Sequence, residues 1–559
     1  MKHSMMSFGR YVITATVFGL FALAAPSAMA QAKKEANVNT SQCYACHQPI
    51  QAFHAGSMHK TVNCVSCHSG LAAHNQDAKV RPTTSTDPAS CGAASCHKDQ
   101  YDSQYKMDWH KQARKEKALY GGPSPNPSFD KLMAPHGFTK EHAEPRAHAF
   151  MVYDQFVADR AFGGRFQPKD GWKDYARIGG NFKVWDALED KYPGEPHKAF
   201  APGYAAAANP VCLSCKSMDH ILDWAYLGDP APGAKWSRLS NVVEMAKDIQ
   251  HAANCFFCHD PHSGKPRIIR DALIQAITRP EADTLFHKDA NKPKVEVIDM
   301  GLRGYTRKIA VLDRYDTKLQ CGQCHVEYNC NPGTDMATGE GVKMTDARTN
   351  YFPYVNVFDL GKNYNDLKFR DFKHKITGAM LWKAQHPESE TYYGSPHQLA
   401  GVECHDCHMP KMKNKAGKTY TNHWVASPRE YLKETCLTCH ADWNEKQANY
   451  VIDAMKNHYY GKVRHAEFWL TRLIDKIEEA KNLGINDALL GEAREAHWQA
   501  HMHWEWWTAT NGGYFHNHSQ AVQSLNFGMD VSQKMIDKLD AAMGEERAKF
   551  AKQEAKQEK

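Results

Sequence analysis

The chain has few of the features that would tie it to a membrane or to nucleic acid. After residue 30 no segment approaches the ~20 consecutive apolar residues of a transmembrane helix, and the mean hydropathy is −0.64. The 69 basic and 63 acidic residues nearly cancel, so no role on nucleic acid is indicated. By contrast, the 559 residues include 17 cysteines and 32 histidines, two residue types that bind metals and cofactors.

The first 30 residues predict export. Lys2 and Arg10 precede an apolar run, which ends in the small residues "AMA" at 28–30. This order is typical of a signal peptide that is cleaved before Gln31. The alternative is an uncleaved signal anchor. We expect a periplasmic protein with no membrane span once residues 1–30 are removed.

Two cysteines followed directly by histidine form a pattern that recurs along the chain. Six copies are C-x-x-C-H, one copy has four residues between its cysteines, and one copy ends in lysine. Two such thiols can add to the vinyl groups of one haem, and the next residue then binds the iron. A single copy would also fit a zinc half-site or a disulfide, but eight copies predict eight covalently bound haem c groups. The predicted haem-binding residues are Cys43, Cys46, His47, Cys64, Cys67, His68, Cys91, Cys96, His97, Cys212, Cys215, Lys216, Cys255, Cys258, His259, Cys321, Cys324, His325, Cys404, Cys407, His408, Cys436, Cys439 and His440.

The spacing of the motifs predicts three parts after the signal peptide. Residues 31–130 carry three motifs and form an N-terminal three-haem domain, and residues 131–440 carry the other five. Residues 441–559 have apolar side chains near helical spacing, which predicts long helices packed on the five-haem domain and in a subunit interface. The expected fold class is mainly α, with a loop-rich core packed around haems.

Two residues near the end of the chain predict helix boundaries. The first long helix should stop at Gly484, and the second should begin after Asn486, an N-cap candidate. A third helix is expected over 517–555. In the preceding part, residues 412–423 predict a turn or short hairpin, and residues 331–350 predict a surface loop.

Lys216 replaces histidine in "CLSCK" at 212–216. A neutral lysine amine can bind iron if burial and the metal keep it deprotonated, and it changes the electronics of that iron. Haems with histidine on both sides only carry electrons, so the Lys216 haem is the candidate for catalysis. The alternative is an electron-transfer haem with a substituted ligand.

Several motifs together resemble those of the ammonia-forming cytochrome c nitrite reductases. These are "CLSCK", "CGQCHVEY", "KAQHPE", "CHMPK" and "HMHWEWW", which occur in the family's order over roughly residues 146–530. The three extra N-terminal motifs resemble the octahaem branch of the family. The resemblance implies a six-electron reduction of nitrite to ammonium, with hydroxylamine and sulfite as secondary substrates, at the lysine-ligated haem.

The resemblance also implies an active site. Lys216 matches the proximal lysine, Tyr328 the active-site tyrosine and His386 the active-site histidine. Arg160 matches the active-site arginine because it follows Asp154 by six residues, as in the family; Arg165 and Arg146 are the alternatives. Arginine and histidine can hold an anion, and histidine and tyrosine can deliver protons. A calcium site is implied as well, formed by Glu327, Gln385 and the backbone carbonyls of Tyr328 and Lys383.

Distal haem ligands follow from the same resemblance. It implies His148 for the haem at 321–325, His397 for 436–440, His423 for 255–259 and His501 for 404–408. For the three N-terminal haems, local pattern alone suggests His59 and His110, with His54, His74, His136 and His142 as competitors.

One cysteine, Cys330, lies outside the motifs. It follows Tyr328 by two residues, as in the octahaem branch, where a tyrosine–cysteine thioether can form. The alternative is a free thiol.

Other functions remain open from the sequence. They are an octahaem tetrathionate reductase, a hydroxylamine-converting enzyme, and a non-enzymatic electron-transfer cytochrome. Lysine argues against hydroxylamine oxidation, because hydroxylamine oxidoreductases keep histidine at every haem. The expected partners are nitrite, a periplasmic or quinol-linked electron donor and further copies of the chain in a homo-oligomer.

Overall fold

The computed structural model of the protein describes residues 36–106, 127–134, 148–157, 169, 183–188, 210–301 and 303–557. The predicted signal peptide lies outside these residues. The described chain is mainly α-helical, as the sequence predicts, and loops connect short helices before three long ones.

The short helices occupy the part of the chain that carries the cysteine motifs. The α-helices are Thr40–Tyr44, Gln48–His54, Leu71–Gln76, Lys98–Tyr105, Pro127–Leu132, Met151–Val157, Pro210–Leu213, Val242–Asp248, Cys255–Cys258, Asp271–Thr278, Leu285–Lys288, Thr317–Cys321, Val357–Asp366, Glu388–Tyr392, Pro396–Leu399, Cys404–His408, Cys436–Cys439 and Gly513–His516. The 3₁₀ turns are Cys64–Ser66, Pro88–Ser90, His148–Phe150, Val184–Ala187, His220–Asp223, Tyr226–Gly228, Ala347–Asn350 and Pro428–Glu430.

The β-structure is small and antiparallel. In a three-stranded sheet, Lys308–Leu312 lies between Arg267–Ile268 and Val295–Asp299. Four two-stranded ribbons pair His68–Ser69 with Thr83–Thr84, Thr334–Asp335 with Phe369–Arg370, Phe372–Lys373 with Met380–Leu381, and Lys411–Lys413 with Thr419–Thr421. The last ribbon is the hairpin that the sequence predicts over 412–423.

Three long helices follow the last motif, and their bounds agree with the sequence prediction. They are Glu445–Asn482, Asp487–Ala509 and His518–Gln557. The side chain of Asn486 accepts a hydrogen bond from the Leu489 amide at 2.9 Å, which caps the second helix. Gly484 ends the first helix with a φ of 72°, in the left-handed region that favours glycine.

Apolar residues at helical spacing hold the long helices together. On the first helix, Leu473, Ile474 and Ile477 are fully buried, and they share one core with residues of the other two helices. Trp382, in the segment before the "KAQHPE" motif's histidine, belongs to the same core. The long helices therefore support the segment that carries the candidate active-site histidine.

None of the helices in the described segments is both long and apolar enough to cross a membrane.

Candidate functional site

Most of the cysteine motifs fold as a tight turn, whereas the Lys216 amide donates to the Leu213 carbonyl instead of to Cys212. The backbone amide of the last residue reaches the carbonyl of the first cysteine, at 2.9 Å in 43–47, 3.0 Å in 255–259, 2.8 Å in 321–325 and 2.9 Å in 436–440. We name each motif by its last residue, from the His47 motif to the His440 motif. All 17 cysteines lie in the described segments, and all are free of disulfide bonds, so both thiols of each turn are available to one ligand.

The motif histidines face second imidazoles. Six pairs have ring centres 6.0 to 6.4 Å apart: His47 with His74, His68 with His262, His97 with His59, His325 with His148, His408 with His516, and His440 with His397. His423 lies near the seventh motif histidine, His259, because burial and then the charge of His423 lower the pKa of His259 to about 4.

The separation within these pairs fits two ligands of one iron. An imidazole nitrogen binds a transition metal at about 2.0–2.1 Å, so two imidazoles on opposite sides of one metal have ring centres about 6 Å apart. The six ring pairs therefore fit haem groups with two axial histidines.

The structure brings most of the predicted second histidines to these positions. His148, His397 and His423 each lie opposite the motif that the sequence pairs with them, and His59 lies opposite His97. His54 instead has both ring nitrogens in hydrogen bonds, 2.6 Å from the Tyr44 hydroxyl and 2.9 Å from the Val62 carbonyl oxygen. The predicted candidates His110, His136 and His142 lie outside the described residues.

His501 is the predicted ligand that the structure places elsewhere. Its Nε2 atom lies 3.1 Å from the carbonyl oxygen of Trp382 and 3.0 Å from the Glu505 carboxylate, inside the helical core. The ring opposite His408 belongs to His516. The Asp487–Ala509 helix turns the His501 side chain towards the bundle, whereas His516 lies in the Gly513–His516 turn that follows.

His262 has no counterpart among the sequence predictions. It stands three residues after His259 in "CHDPH", yet it faces His68, which is nearly two hundred residues earlier in the chain. The signal that could have found it is a second histidine directly after a motif. Only the fold shows which motif it serves.

Cysteine thiols of different motifs contact one another. The contacts join Cys43 with Cys64, Cys91 with Cys255, Cys215 with Cys324, and Cys321 with Cys404. The His325 motif thus touches both the Lys216 motif and the His408 motif. Haems bound at these motifs would lie close to one another.

The Lys216 motif is packed against the His325 motif. The Cys324 thiol lies 3.2 Å from the Cys215 carbonyl oxygen, and the Cys215 thiol lies 3.5 Å from the Gln323 carbonyl oxygen. The guanidinium Nε of buried Arg270 lies 3.2 Å from the Cys215 thiol. Lys216 itself is half-buried, and its backbone is fixed by hydrogen bonds to Leu213 and Ala253.

Tyr328 and Cys330 lie beside the first cysteine of the Lys216 motif. Both are buried, and the Cys330 thiol contacts the Cys212 thiol. Between them, Asn329 pairs with Tyr351 in an antiparallel bridge, with N–O distances of 2.8 and 3.1 Å. Extended residues two apart project to the same side, so the phenol and the thiol share one face.

Glu327 forms the centre of the predicted calcium site. Its fully buried carboxylate accepts hydrogen bonds from Trp382 Nε1 at 3.0 Å and from the Gln385 amide at 2.7 Å. Its own amide donates to Glu390, whose second carboxylate oxygen is buried without a hydrogen-bond partner in the described structure. Burial raises the pKa of both carboxyl groups well above their usual range.

A third acid adds to this cluster. Asp371 accepts a hydrogen bond from the Lys383 amide at 3.0 Å, and burial raises its pKa to about 7. Three buried carboxylates close together favour a bound cation. Among the described residues no three His, Cys, Asp or Glu side chains converge as a metal site.

His386 lies two residues from an acid that contacts a motif histidine. Its carbonyl oxygen accepts from the Glu388 amide at 2.8 Å, and the Glu388 carboxylate lies 3.3 Å from Nδ1 of His325. The Ser389 amide donates to the His325 carbonyl at 3.0 Å. The segment of His386 is therefore attached to the His325 motif.

The predicted Arg160 and its alternatives, Arg165 and Arg146, lie outside the described residues. Asp154, whose spacing from Arg160 supports the prediction for that arginine, lies buried in the Met151–Val157 helix.

The fold and the motifs define a multihaem c-type cytochrome. Residues 172–559 match the family model described as Cytochrome c552, so the chain belongs to the cytochrome c552 family. Covalently bound haem c is the cofactor that this family implies.

Known relatives and a solved structure are similar to this chain. A cytochrome c-552 of Haemophilus influenzae is 27% identical over 77% of this chain and 70% of its own length. A cytochrome c-552 of Bacteroides fragilis is 26% identical over 72% of this chain, and the match spans 66% of that relative. The catalytic subunit of the cytochrome c nitrite reductase of Desulfovibrio desulfuricans, a structure described with two calcium sites, matches with a TM-score of 0.53 and 22% identity over 79% of this chain and 86% of that one.

Proposed function

We propose that the protein is an octahaem nitrite reductase that reduces nitrite to ammonium at the haem of the Lys216 motif. The observation that carries this proposal is the contrast among the eight motifs. Seven end in a histidine, and six of these histidines face a second imidazole. The eighth ends in Lys216, and the first cysteine of that motif, Cys212, neighbours Cys330. Irons with two histidine ligands conduct electrons, whereas chemistry on a substrate needs an iron with an open position.

Electrons reach the Lys216 motif through the His325 motif. The contact between Cys215 and Cys324 makes these two motifs direct neighbours, and the contact between Cys321 and Cys404 extends the chain to the His408 motif. A second group of haems comes from the contact of Cys43 with Cys64, between two N-terminal motifs, and from the contact of Cys91 with Cys255 of the His259 motif. Seven electron-carrying haems next to one site suit a reaction that takes six electrons.

Three further side chains that the resemblance implies for the active site bind the anion and supply protons. When bound, the haem provides an iron for the nitrogen of nitrite and the electrons for its reduction. Arg160 and His386 attract nitrite and hydrogen-bond its oxygens. His386 and Tyr328 hold protons for the oxygens that leave as water. Hydroxylamine and sulfite are further substrates of the same site.

The buried acids near Tyr328 hold calcium. Glu327 and Gln385 supply side-chain oxygens, and the carbonyls of Tyr328 and Lys383 complete the protein ligands. The cation would offset the charge of Glu327, and the full burial of this carboxylate, which raises its pKa, supports the proposal. It would also hold Tyr328 in place through its backbone.

Cys330 modifies Tyr328 in this proposal. A thioether between the Cys330 sulfur and a ring carbon of Tyr328 forms with the loss of two protons and two electrons, for which ferric haem is the oxidant. The shared face of the two side chains across Asn329 supports the link. A sulfur substituent would change the acidity of the phenol.

Six of the second ligands follow from the ring pairs, and the seventh, His423, follows from the resemblance and from its effect on the pKa of His259. We assign His74, His262 and His59 to the His47, His68 and His97 motifs, and His423, His148, His516 and His397 to the later ones. This replaces His501 by His516. We also place the protein in the periplasm as a homo-oligomer, fed by a periplasmic or quinol-linked donor.

Ligand binding tests whether an open iron exists. In the fully haem-loaded protein, nitrite and cyanide should each change the electron paramagnetic resonance signal of one haem and leave the others unchanged. A protein in which neither anion changes any haem is an electron-transfer cytochrome. An octahaem tetrathionate reductase would bind these anions but would give no ammonium from nitrite.

A further inference from the structure

Glu388 is a buried acid whose contact with a motif histidine the proposed function does not use. Its Oε2 atom lies 3.3 Å from Nδ1 of His325, the ring nitrogen opposite the one that would bind iron. Its Oε1 atom accepts from the Asn511 amide at 2.7 Å and from the Asn511 side chain at 2.8 Å. Asn511 follows the second long helix, so the helical part of the protein holds this carboxylate against His325.

Other motif histidines have neutral groups at the same atom. Nδ1 lies 3.2 Å from the Thr84 hydroxyl in His68, 3.3 Å from the Tyr315 hydroxyl in His259 and 3.0 Å from the Ala426 carbonyl oxygen in His408. Within the described segments, His325 is the motif histidine that forms an ion pair with a carboxylate through Nδ1.

A second histidine with an acid nearby shows what distinguishes Glu388. Asp260 lies 3.6 Å from Nδ1 of His262, but it is also bonded to Ser263 and paired with Arg267 at 3.4 Å. The donors on the far oxygen of Glu388 are neutral amides, and in the described part of the chain its ion-pair partner is His325. The negative charge of Glu388 is thus directed at that ring.

We propose that Glu388 is a positioning residue that lowers the reduction potential of the haem of the His325 motif. A carboxylate that accepts the Nδ1–H bond makes the imidazole a stronger electron donor to its metal. A stronger axial donor favours ferric over ferrous iron. The ferrous haem of the His325 motif therefore gives up its one electron more readily, and the neighbouring Lys216 motif is where that electron goes.

The location of Glu388 makes this effect useful. The same short segment carries His386, and the Ser389 amide is bonded to the His325 carbonyl. One segment thus places both the substrate-binding histidine and the carboxylate that adjusts the last electron donor. This role of Glu388 rests on the proposed function, which identifies the haem of the Lys216 motif as the electron acceptor. A reduction potential can be measured without nitrite, so the role of Glu388 and the nitrite reductase activity can be refuted separately.

The test is a redox titration of the haem-loaded protein, followed by absorbance and electron paramagnetic resonance. Glu388→Gln keeps the shape of the side chain and removes its charge. The reduction potential of one haem should rise by at least 59 mV, which is a tenfold change in the equilibrium constant of a one-electron step. The reduction potentials of the other haems should equal those of the wild type. In steady state, kcat for nitrite should fall.

Glu467→Gln is the matched control. Glu467 is a buried carboxylate that accepts from Trp504 and pairs with Arg464, within the long helices. Its variant should titrate like the wild type. If Glu388→Gln fails to take up its haems, Glu388→Asp is the second variant. Its side chain is one methylene shorter, so the carboxylate lies farther from His325, and the reduction potential of the same haem should rise. A titration that superimposes on the wild type, or one in which all components move together, would overturn the proposal.

Discussion

The ring of His516 lies 6.3 Å from the ring of His408, across the space where the His408 motif would hold its haem. His501, on the preceding helix, is instead bonded to Glu505 and to the Trp382 carbonyl. The two histidines are 15 residues apart in the sequence, and only one of them is in place to bind iron.

Replacement of these histidines should have opposite signatures. His516→Ala removes an axial ligand, so one low-spin ferric signal should be lost and a high-spin signal should appear. His501→Ala should leave every spin state unchanged and lower the free energy of unfolding by about 1–3 kcal/mol, because it removes buried hydrogen bonds to Glu505 and to the Trp382 carbonyl. Electron paramagnetic resonance and thermal unfolding measure the two effects. A spin-state change in His501→Ala alone would refute the assignment.

The thioether gives a mass signature. Since Tyr328 and Cys330 project to one side of the bridge at Asn329, the peptide that carries residues 326–331 should be two hydrogen atoms lighter than its sequence requires, and Cys330 should resist alkylation. Cys330→Ser is the control and should have the unmodified mass. An alkylatable Cys330 in active, haem-loaded protein would rule out the link.

Calcium should stabilise the folded protein through Glu327. With free calcium at 100 times its dissociation constant, a ligand that binds only the native state adds about 2.7 kcal/mol. A chelator should therefore lower the unfolding temperature and the nitrite activity together. Glu327→Gln should abolish the response to the chelator, whereas Glu340→Gln, an exposed acid in the surface loop, should retain it. An identical response in both variants would place calcium elsewhere.

The helical core predicts a further stability difference. Leu473 is fully buried among the long helices, so Leu473→Ala should lower the free energy of unfolding by about 2–5 kcal/mol. Glu478→Ala, at an exposed position on the same helix, should change it by less than about 0.5 kcal/mol. Denaturant unfolding followed by circular dichroism gives both values. Equal effects would mean that this face of the helix is not part of the core.

Local features of the fold could be predicted from the sequence because their causes are local. The turn of each motif depends on residues that are neighbours in the chain, and the cap at Asn486 and the stop at Gly484 depend on single side chains. The hairpin over 412–423 and the three long helices follow from short-range patterns of the same kind.

Contacts between residues that are far apart in the sequence could be predicted only in part. His148 could be assigned through a resemblance that covers a whole segment, but His262 and His74 have no such signal. A histidine opposite a motif is placed by packing between elements, as His262 is by the loop that follows the His259 motif. For the same reason the sequence places Glu388 in the "KAQHPE" motif but indicates no role for it, because its partner His325 is 63 residues away.

The most direct test of the account is the yield of ammonium from nitrite with reduced viologen, for the wild type and for Lys216→His with all eight haems attached. The wild type should form one ammonium for every six electrons consumed. The activity of Lys216→His should be at least about tenfold lower, as for other changes around a metal ligand. Lys343→His, at an exposed position, should be as active as the wild type. A fully loaded wild type that forms no ammonium, or a Lys216→His variant as active as the wild type, would contradict the account.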